Sequence, residues 1–258
     1  MIKNRPPLFP LSSGLFAFLL LCLNASTPPR LYSAPDDLLM GSVVKSEKWK
    51  MDRARNLEVF YGAVSFKNPL YDLKTDYAVY DRKARIWTLR GSVYCLRRFL
   101  DGSSLELTCD NGKYLESAAQ AELYRGAAPI KMRHLDPDGK LLTGRCDRIN
   151  GDNARGSMDF LGNFYLQTER TEIFSDNGFY TDTDHSFLIY NSAPASPRSA
   201  PPSAPVAIGA REGRDFAMTG EKMKFFKDTG DIKLYNNVAG WIKASTEPVA
   251  AGFSAAPR

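Results

Sequence analysis

Leu73-Lys74-Thr75-Asp76-Tyr77-Ala78-Val79-Tyr80 is answered 100 positions on by Ile173-Phe174-Ser175-Asp176-Asn177-Gly178-Phe179-Tyr180. The register then holds without a gap, with Trp87 meeting Phe187 and Leu89 meeting Ile189. At 145 positions on, Leu73 meets Met218, Tyr80 meets Phe225, Trp87 meets Ile232 and Val93 meets Val238. Leu107 to Tyr114 fits the same frame. So does Leu142 to Ile149, which puts Gly144-Arg145 at the small–acidic pair held by Thr75-Asp76. A partial unit lies 29 positions earlier and includes Val44, Trp49, Phe60, Gly62 and Val64. The unit is about 29 to 36 residues long and recurs about six times, and Gly62, Gly91, Gly126 and Gly162 punctuate four joins.

Within each unit apolar and polar residues alternate, which is the period of a half-buried strand. Val64 and Phe66 alternate with Ser65 and Lys67, Leu105 and Leu107 with Glu106 and Thr108, and Ile130 and Met132 with Lys131 and Arg133. Asp101-Gly102, Asp136-Pro137-Asp138-Gly139, Asn150-Gly151 and Asp228-Thr229-Gly230 supply turns. The apolar parity switches between Thr75 and Ala78, and a period of two does that only through a bulge, placed near Asp76. Each unit therefore contributes roughly two strands. A lone hairpin cannot bury its apolar face, so the units stack around one core. The predicted inner column is Val64, Phe66, Leu73, Tyr80, Trp87, Val93, Leu107, Ile130, Met132, Phe164, Leu166, Ile173, Phe187 and Met218. Its large, soft side chains suit either a packed, dry interior or an apolar trough, and the residues alone leave both open.

A charged fraction of 24% and a mean hydropathy of −0.32 exclude a polytopic membrane protein. Aromatics at 12% argue against wholesale disorder. The net charge of +5 is too dispersed to point to nucleic acid. There is no Gly-x-Ser-x-Gly, His-Glu-x-x-His or phosphate loop, so no enzyme or cofactor site is predicted. The two histidines, His134 and His185, sit at turns and leave little room for a transition-metal site. The acidic column Asp76, Asp110, Asp176 and Glu221 recurs once per unit, which points to a structural pairing with bulge amides.

At the N-terminus, Lys3 and Arg5 precede the apolar run Leu15 to Leu23 and then Asn24-Ala25-Ser26, the pattern of an export signal. Residues 1–25 read as a cleaved signal peptide or a retained membrane anchor. The repeat body spans 41–245. Ser192 to Pro205, SAPASPRSAPPSAP, carries five prolines and reads as an exposed insertion, because proline forbids ladder pairing. Residues 246–258 read as a disordered tail. A three-residue hairpin loop at Asp101-Gly102-Ser103 would place Cys95 opposite Cys109, giving a disulfide outside the cytoplasm or two buried free thiols.

The unit Leu-x-Thr-Asp-x-Ala-x-Tyr-Asp at Leu73 to Asp81, followed by Leu89-Arg90-Gly91-Ser92-Val93, resembles the OstA-like repeat. That family holds the lipopolysaccharide-export proteins LptA and LptC and the N-terminal domain of LptD. The N-terminal apolar segment, the entry unit Trp49 to Arg55 and Asn68-Pro69 look like LptC. The resemblance covers about residues 43 to 243. It implies an all-β, open β-jellyroll that stacks end to end by strand pairing and passes lipid acyl chains along an apolar groove lined by the inner column. It further implies a periplasmic protein of the lipopolysaccharide bridge between inner and outer membrane. The implied partners are other OstA-like proteins and, in an LptC-like role, an inner-membrane transporter. A secreted β-solenoid scaffold with a closed core is the alternative.

Overall fold

The computed structural model describes residues 43–192 and 204–244. The predicted export segment, the middle of the proline-rich insertion and the tail lie outside the described residues. The first half of the chain runs as β1 (Val43–Lys45), β2 (Lys48–Asp52), β3 (Leu57–Lys67), β4 (Tyr71–Asp81), β5 (Ile86–Arg98) and β6 (Ser104–Leu115). A 3-10 turn, Glu116–Ala118, leads into β7 (Gln120–Tyr124), β8 (Ile130–Leu135), β9 (Leu141–Cys146) and β10 (Arg148–Asp152). Then come β11 (Ser157–Gln167), β12 (Thr171–Thr181), β13 (Ser186–Tyr190), β14 (Val206–Arg211) and β15 (Arg214–Thr219). The described chain ends with β16 (Lys222–Phe226), β17 (Ile232–Tyr235) and β18 (Ala239–Ala244).

All described pairings are antiparallel, and the long strands each serve two ladders. The first part of β3 pairs with β2 and with the end of β4, and its last part pairs with β1 and the start of β4. The register breaks between, at Tyr61/Val64. Equivalent breaks fall at Lys74/Tyr77, Arg90/Val93 and Leu161/Phe164. The first of these is the bulge expected at Asp76. The breaks line up into a corner that divides the strands into two half-sheets. Half-sheet I holds β1, β8, β9, β14, β15, β18 and the adjoining parts of the long strands. Half-sheet II holds β2, β7, β10, β13, β16, β17 and the remaining parts. Their inner faces enclose one core, and the fold is an all-β, open β-jellyroll.

The corner has a repeated chemistry. The chain turns there through paired left-handed residues: Gly62 and Ala63, Gly91 and Ser92, Gly162 and Asn163, Asn236 and Asn237. A residue with a side chain pays for that conformation, and an acid about 15 residues earlier in the chain compensates. Asn163 Nδ2 donates to Asp147 Oδ2 at 2.6 Å, and Asn236 Nδ2 to Glu221 Oε2 at 3.0 Å. Ser192 N donates to Asp176 Oδ2 at 3.1 Å. The carboxylates of Glu47, Asp76 and Asp110 lie against Gly62, Gly91 and Gly126, where any Cβ would strike them. The recurring acids are therefore structural. The small residue before the acid helps: Thr75 Oγ1 donates to Arg90 O at 2.9 Å and Ser175 Oγ to Tyr190 O at 2.9 Å.

The third unit corrects the alignment. Its small–acidic pair is Cys146-Asp147, two residues later than Gly144-Arg145. Asp147 N donates to Gly162 O at 2.9 Å, and Asp147 accepts from Arg125 and Asn163. Gly144 then takes the inner position where Leu73 stands in the reference unit. It is glycine because the Met132 methyl occupies the space, 2.9 Å from where a Cβ would be.

Cys95 and Cys109 are free, and the hairpin is one pair out of the expected register. Cys95 faces Leu107 and Val93 faces Cys109. The loop is longer than three residues. Phe99 N donates to Ser103 O at 2.9 Å, and the Asp101 carboxylate accepts from Ser103 N and Oγ, which closes the turn around itself. Burial pushes the Cys95 thiol up to about 11 and the Cys109 and Cys146 thiols up to about 12.

The 100-residue repeat is structural as well as textual. The bounds of β3 and β4 recur 100 residues on as those of β11 and β12. At the next corner the halves diverge. β5 crosses it at Gly91-Ser92 as one strand, whereas its counterpart is split into β13 and β14 by the proline-rich insertion. Lys74 pairs with Tyr94, and its counterpart Phe174 pairs with Val206, so Pro205 stands for Val93. Both are buried. Ser192 is held by Asp176 and Asn177, and Pro205 O accepts from Thr219 Oγ1 at 2.8 Å. Ser192 and Pro205 thus belong to the body rather than to the insertion. Deleting residues 193–204, so that Ser192 joins Pro205 as Ser92 joins Val93, should change stability by less than about 1 kcal/mol, because loop length itself contributes little. Extending the deletion through Pro205 should cost several times more in urea unfolding.

Candidate functional site

The core differs along its length. In the middle, inward-facing rings fill the space between the half-sheets. Phe60, Phe66, Tyr80 and Trp87 form one cluster, with Tyr80 and Trp87 stacked at 4.4 Å. Phe160, Phe164, Tyr180, Phe187 and Phe225 form the counterpart, with centroids 4.9 to 6.3 Å apart. Val64, Phe66, Leu73, Trp87, Val93, Ile130, Met132, Phe164, Leu166, Ile173 and Phe187 are all buried in this core, and Tyr80 and Leu107 pack against it.

At the C-terminal end the filling runs out. Three of the inward positions there, Ala207, Gly209 and Gly240, carry little or no side chain, and among the described residues β17 and β18 each have a ladder partner on one side only. The half-sheets leave between them a cavity of about 610 Å³. Its apolar lining includes Leu142, Phe216, Met218, Phe225, Ile232 and Ile242. Its mouth is rimmed by Lys140, Arg170, Arg211, Arg214 and Lys227, interleaved with Asp136, Glu169, Glu212 and Asp228. Arg211 is tied to Asp231 at 3.1 Å. Phe225, on the lining, touches Phe187 of the packed cluster, so the cavity abuts the closed core.

Of the predicted lining residues, this cavity includes Met218. The structure puts the others in the packed interior. Sequence reasoning missed Phe216 and Ile242, although Phe216 shares strand parity with Met218 and could have been found by it. His134 also lines the mouth, one inward step beyond Met132 on β8. Burial, and then the nearby Lys227, hold its pKa below the ordinary histidine value, which favours the neutral ring. His185 Nδ1 lies 2.8 Å from Asp228 Oδ2 across the neighbouring turn. Among the described residues no group of three His, Cys, Asp or Glu side chains gathers as a metal site, and no helix is long and apolar enough to cross a membrane. The arrangement can receive an apolar chain and surround a polar end with charge.

No family model and no curated protein matches this chain. Among solved structures it is similar to LptH of Pseudomonas aeruginosa, described as the LptA homologous periplasmic component of the lipopolysaccharide transport device. The identity is 9%, the match covers 66% of this chain and 95% of that one, and the TM-score is 0.35. A likeness of that size does not transfer a function.

Among the described residues both ends of the jellyroll present open edges. At one end β1 and β2 pair, among those residues, with β3 alone, and Val43, Val44 and Trp49 are exposed. At the other, β17 and β18 carry exposed Tyr235, Trp241 and Ile242. An edge strand is a ready template for another chain, so each end can accept a strand from a partner.

Proposed function

We propose that this protein is a periplasmic component of lipopolysaccharide transport, taking lipid acyl chains into the cavity between its half-sheets and working as one link of a bridge between inner and outer membrane. The observation that carries the reading is the apolar cavity at the C-terminal mouth, bounded by two sheet edges with no second partner among the described residues. The charged rim suits the polar, anionic end of such a lipid, and the apolar lining suits its chains. The open edges at both ends suit end-to-end pairing with other OstA-like proteins. The N-terminal resemblance to LptC adds an inner-membrane transporter as a candidate partner. No catalytic step is involved.

The closed aromatic centre narrows this reading. On this reading the acyl chains lie at the mouth, on Phe216, Met218 and Ile242, and not along the whole predicted inner column. That same closed centre is what favours the second reading, a secreted β-solenoid scaffold. A photo-crosslinking amino acid at Phe216 or Met218 in living cells separates the two. Transport predicts a lipid adduct at these positions and none at Phe187. Absence of any adduct from the mouth, with the protein folded and exported, leaves the scaffold.

A further inference from the structure

The outer face of half-sheet I departs from the polar character expected of a solvated sheet face. Phe174 (38% exposed), Val206 (37%), Ile208 (38%) and Trp241 (50%) all point outward. They are contiguous: Phe174 pairs with Val206, while Ile208 and Trp241 both pair with Ala217. Tyr165 extends the patch, its ring 5.0 Å from that of Phe174. An apolar patch of this kind on a sheet face marks an interaction site.

Cations border it on both sides. Arg145 lies over the Tyr165 ring at 4.8 Å, Lys131 pairs with Arg145 in the next strand, and Lys243 lies over the Trp241 ring at 5.1 Å. None of the three makes a salt bridge among the described residues. The nearby acids are Glu172, beside Tyr165, and Asp215, in the strand position opposite Lys243. The surface thus combines exposed aromatic and aliphatic side chains with positive charge that makes no salt bridge among the described residues, the composition of a membrane-interface contact.

We propose that this outer face docks on an anionic lipid bilayer. Charge complementarity selects that occupant. A second copy docking face to face by a twofold would set Lys131, Arg145 and Lys243 against their own images, and like charges across an interface disfavour it. An anionic bilayer meets them with the opposite sign and accepts Trp241 and Phe174 at headgroup depth. The same strands β14, β15 and β18 turn Met218, Phe216 and Ile242 inward to the cavity, so docking would hold the mouth beside the headgroups. The proposal does not depend on what the cavity carries.

The test uses the full chain and vesicles of brominated phosphatidylcholine and phosphatidylglycerol in equal parts. Tryptophan quenching by the vesicles should be strong in the wild type and markedly reduced in Trp241→Phe, because the difference reports Trp241 alone and not Trp49, Trp87 or any contact by the N-terminal segment. Arg145→Glu with Lys243→Glu should weaken the Trp241-dependent quenching at least tenfold, and 0.5 M salt should do the same to the wild type. Arg145, Lys243 and Trp241 are exposed, and unchanged thermal unfolding of each variant confirms the fold. Equal quenching in the wild type and Trp241→Phe would overturn the proposal. So would a concentration-dependent dimer whose formation shields Trp241 from a soluble quencher while vesicles do not.

Discussion

Phe187→Asp is expected to unfold the protein, whereas Met218→Asp should leave it folded and defective in lipid capture. Phe187 is 3% exposed and contacts Phe160, Phe164, Tyr180 and Phe225. A carboxylate there has no partner, and an unpaired buried charge costs several kcal/mol, comparable with the whole stability of a domain. Phe164, also buried in that cluster, should behave alike. Met218 lines the open cavity, so a carboxylate at that site stays hydrated. Under the proposed function its effect falls on the entry of an apolar chain. Thermal unfolding of the purified variants, beside lipid crosslinking in the cell, makes the comparison. A folded Phe187→Asp protein would mean that the centre is wet or lipid-filled and that the acyl path runs the length of the jellyroll.

Glu116→Ala should be the most damaging polar change. The Glu116 side chain is 7% exposed and gathers three donors: Trp87 Nε1 at 2.8 Å, Tyr80 OH at 3.0 Å and Arg85 Nε at 3.2 Å. It sits in the 3-10 turn after β6 and ties the stacked Tyr80–Trp87 pair to the end of the hairpin. Removing it takes the acceptor from the Trp87 N–H and a carboxylate from beside the Arg85 guanidinium. A hydrogen bond to a charged group contributes about 1.5–3 kcal/mol, and several are lost together. The loss should be about 2–4 kcal/mol in urea unfolding, with Glu116→Gln costing about half as much because one carbonyl oxygen remains. A loss below about 1 kcal/mol would show that the ring pair is held by packing alone. The second half has Phe187 at the position of Trp87 and needs no such acceptor, since phenylalanine brings no N–H to be satisfied.

The sequence by itself determined the class of fold, the repeat and the corner acids. Strand parity is a local signal: Val64 and Phe66 alternate with polar neighbours, and both are buried. The parity switch at Thr75 to Ala78 could only be a bulge, and a carboxylate recurring at each such switch has amides and left-handed residues to meet. What the sequence could not decide was anything set by one strand filling space for another. Gly144 escaped the alignment because Met132, from the neighbouring strand, supplies the bulk missing at that position. The Cys95 register failed because the Asp101 carboxylate closes a longer loop on Ser103. The cavity was hidden for the same reason. Met218 and Leu73 occupy equivalent places in the repeat and each has a strand on both sides, yet Leu73 has Phe66 and Cys95 as neighbours where Met218 has only Ala207 and Gly240, one strand from the sheet's end. Burial there depends on what lies beyond the last strand, and only the tertiary structure shows that small residues and free edges leave that end open.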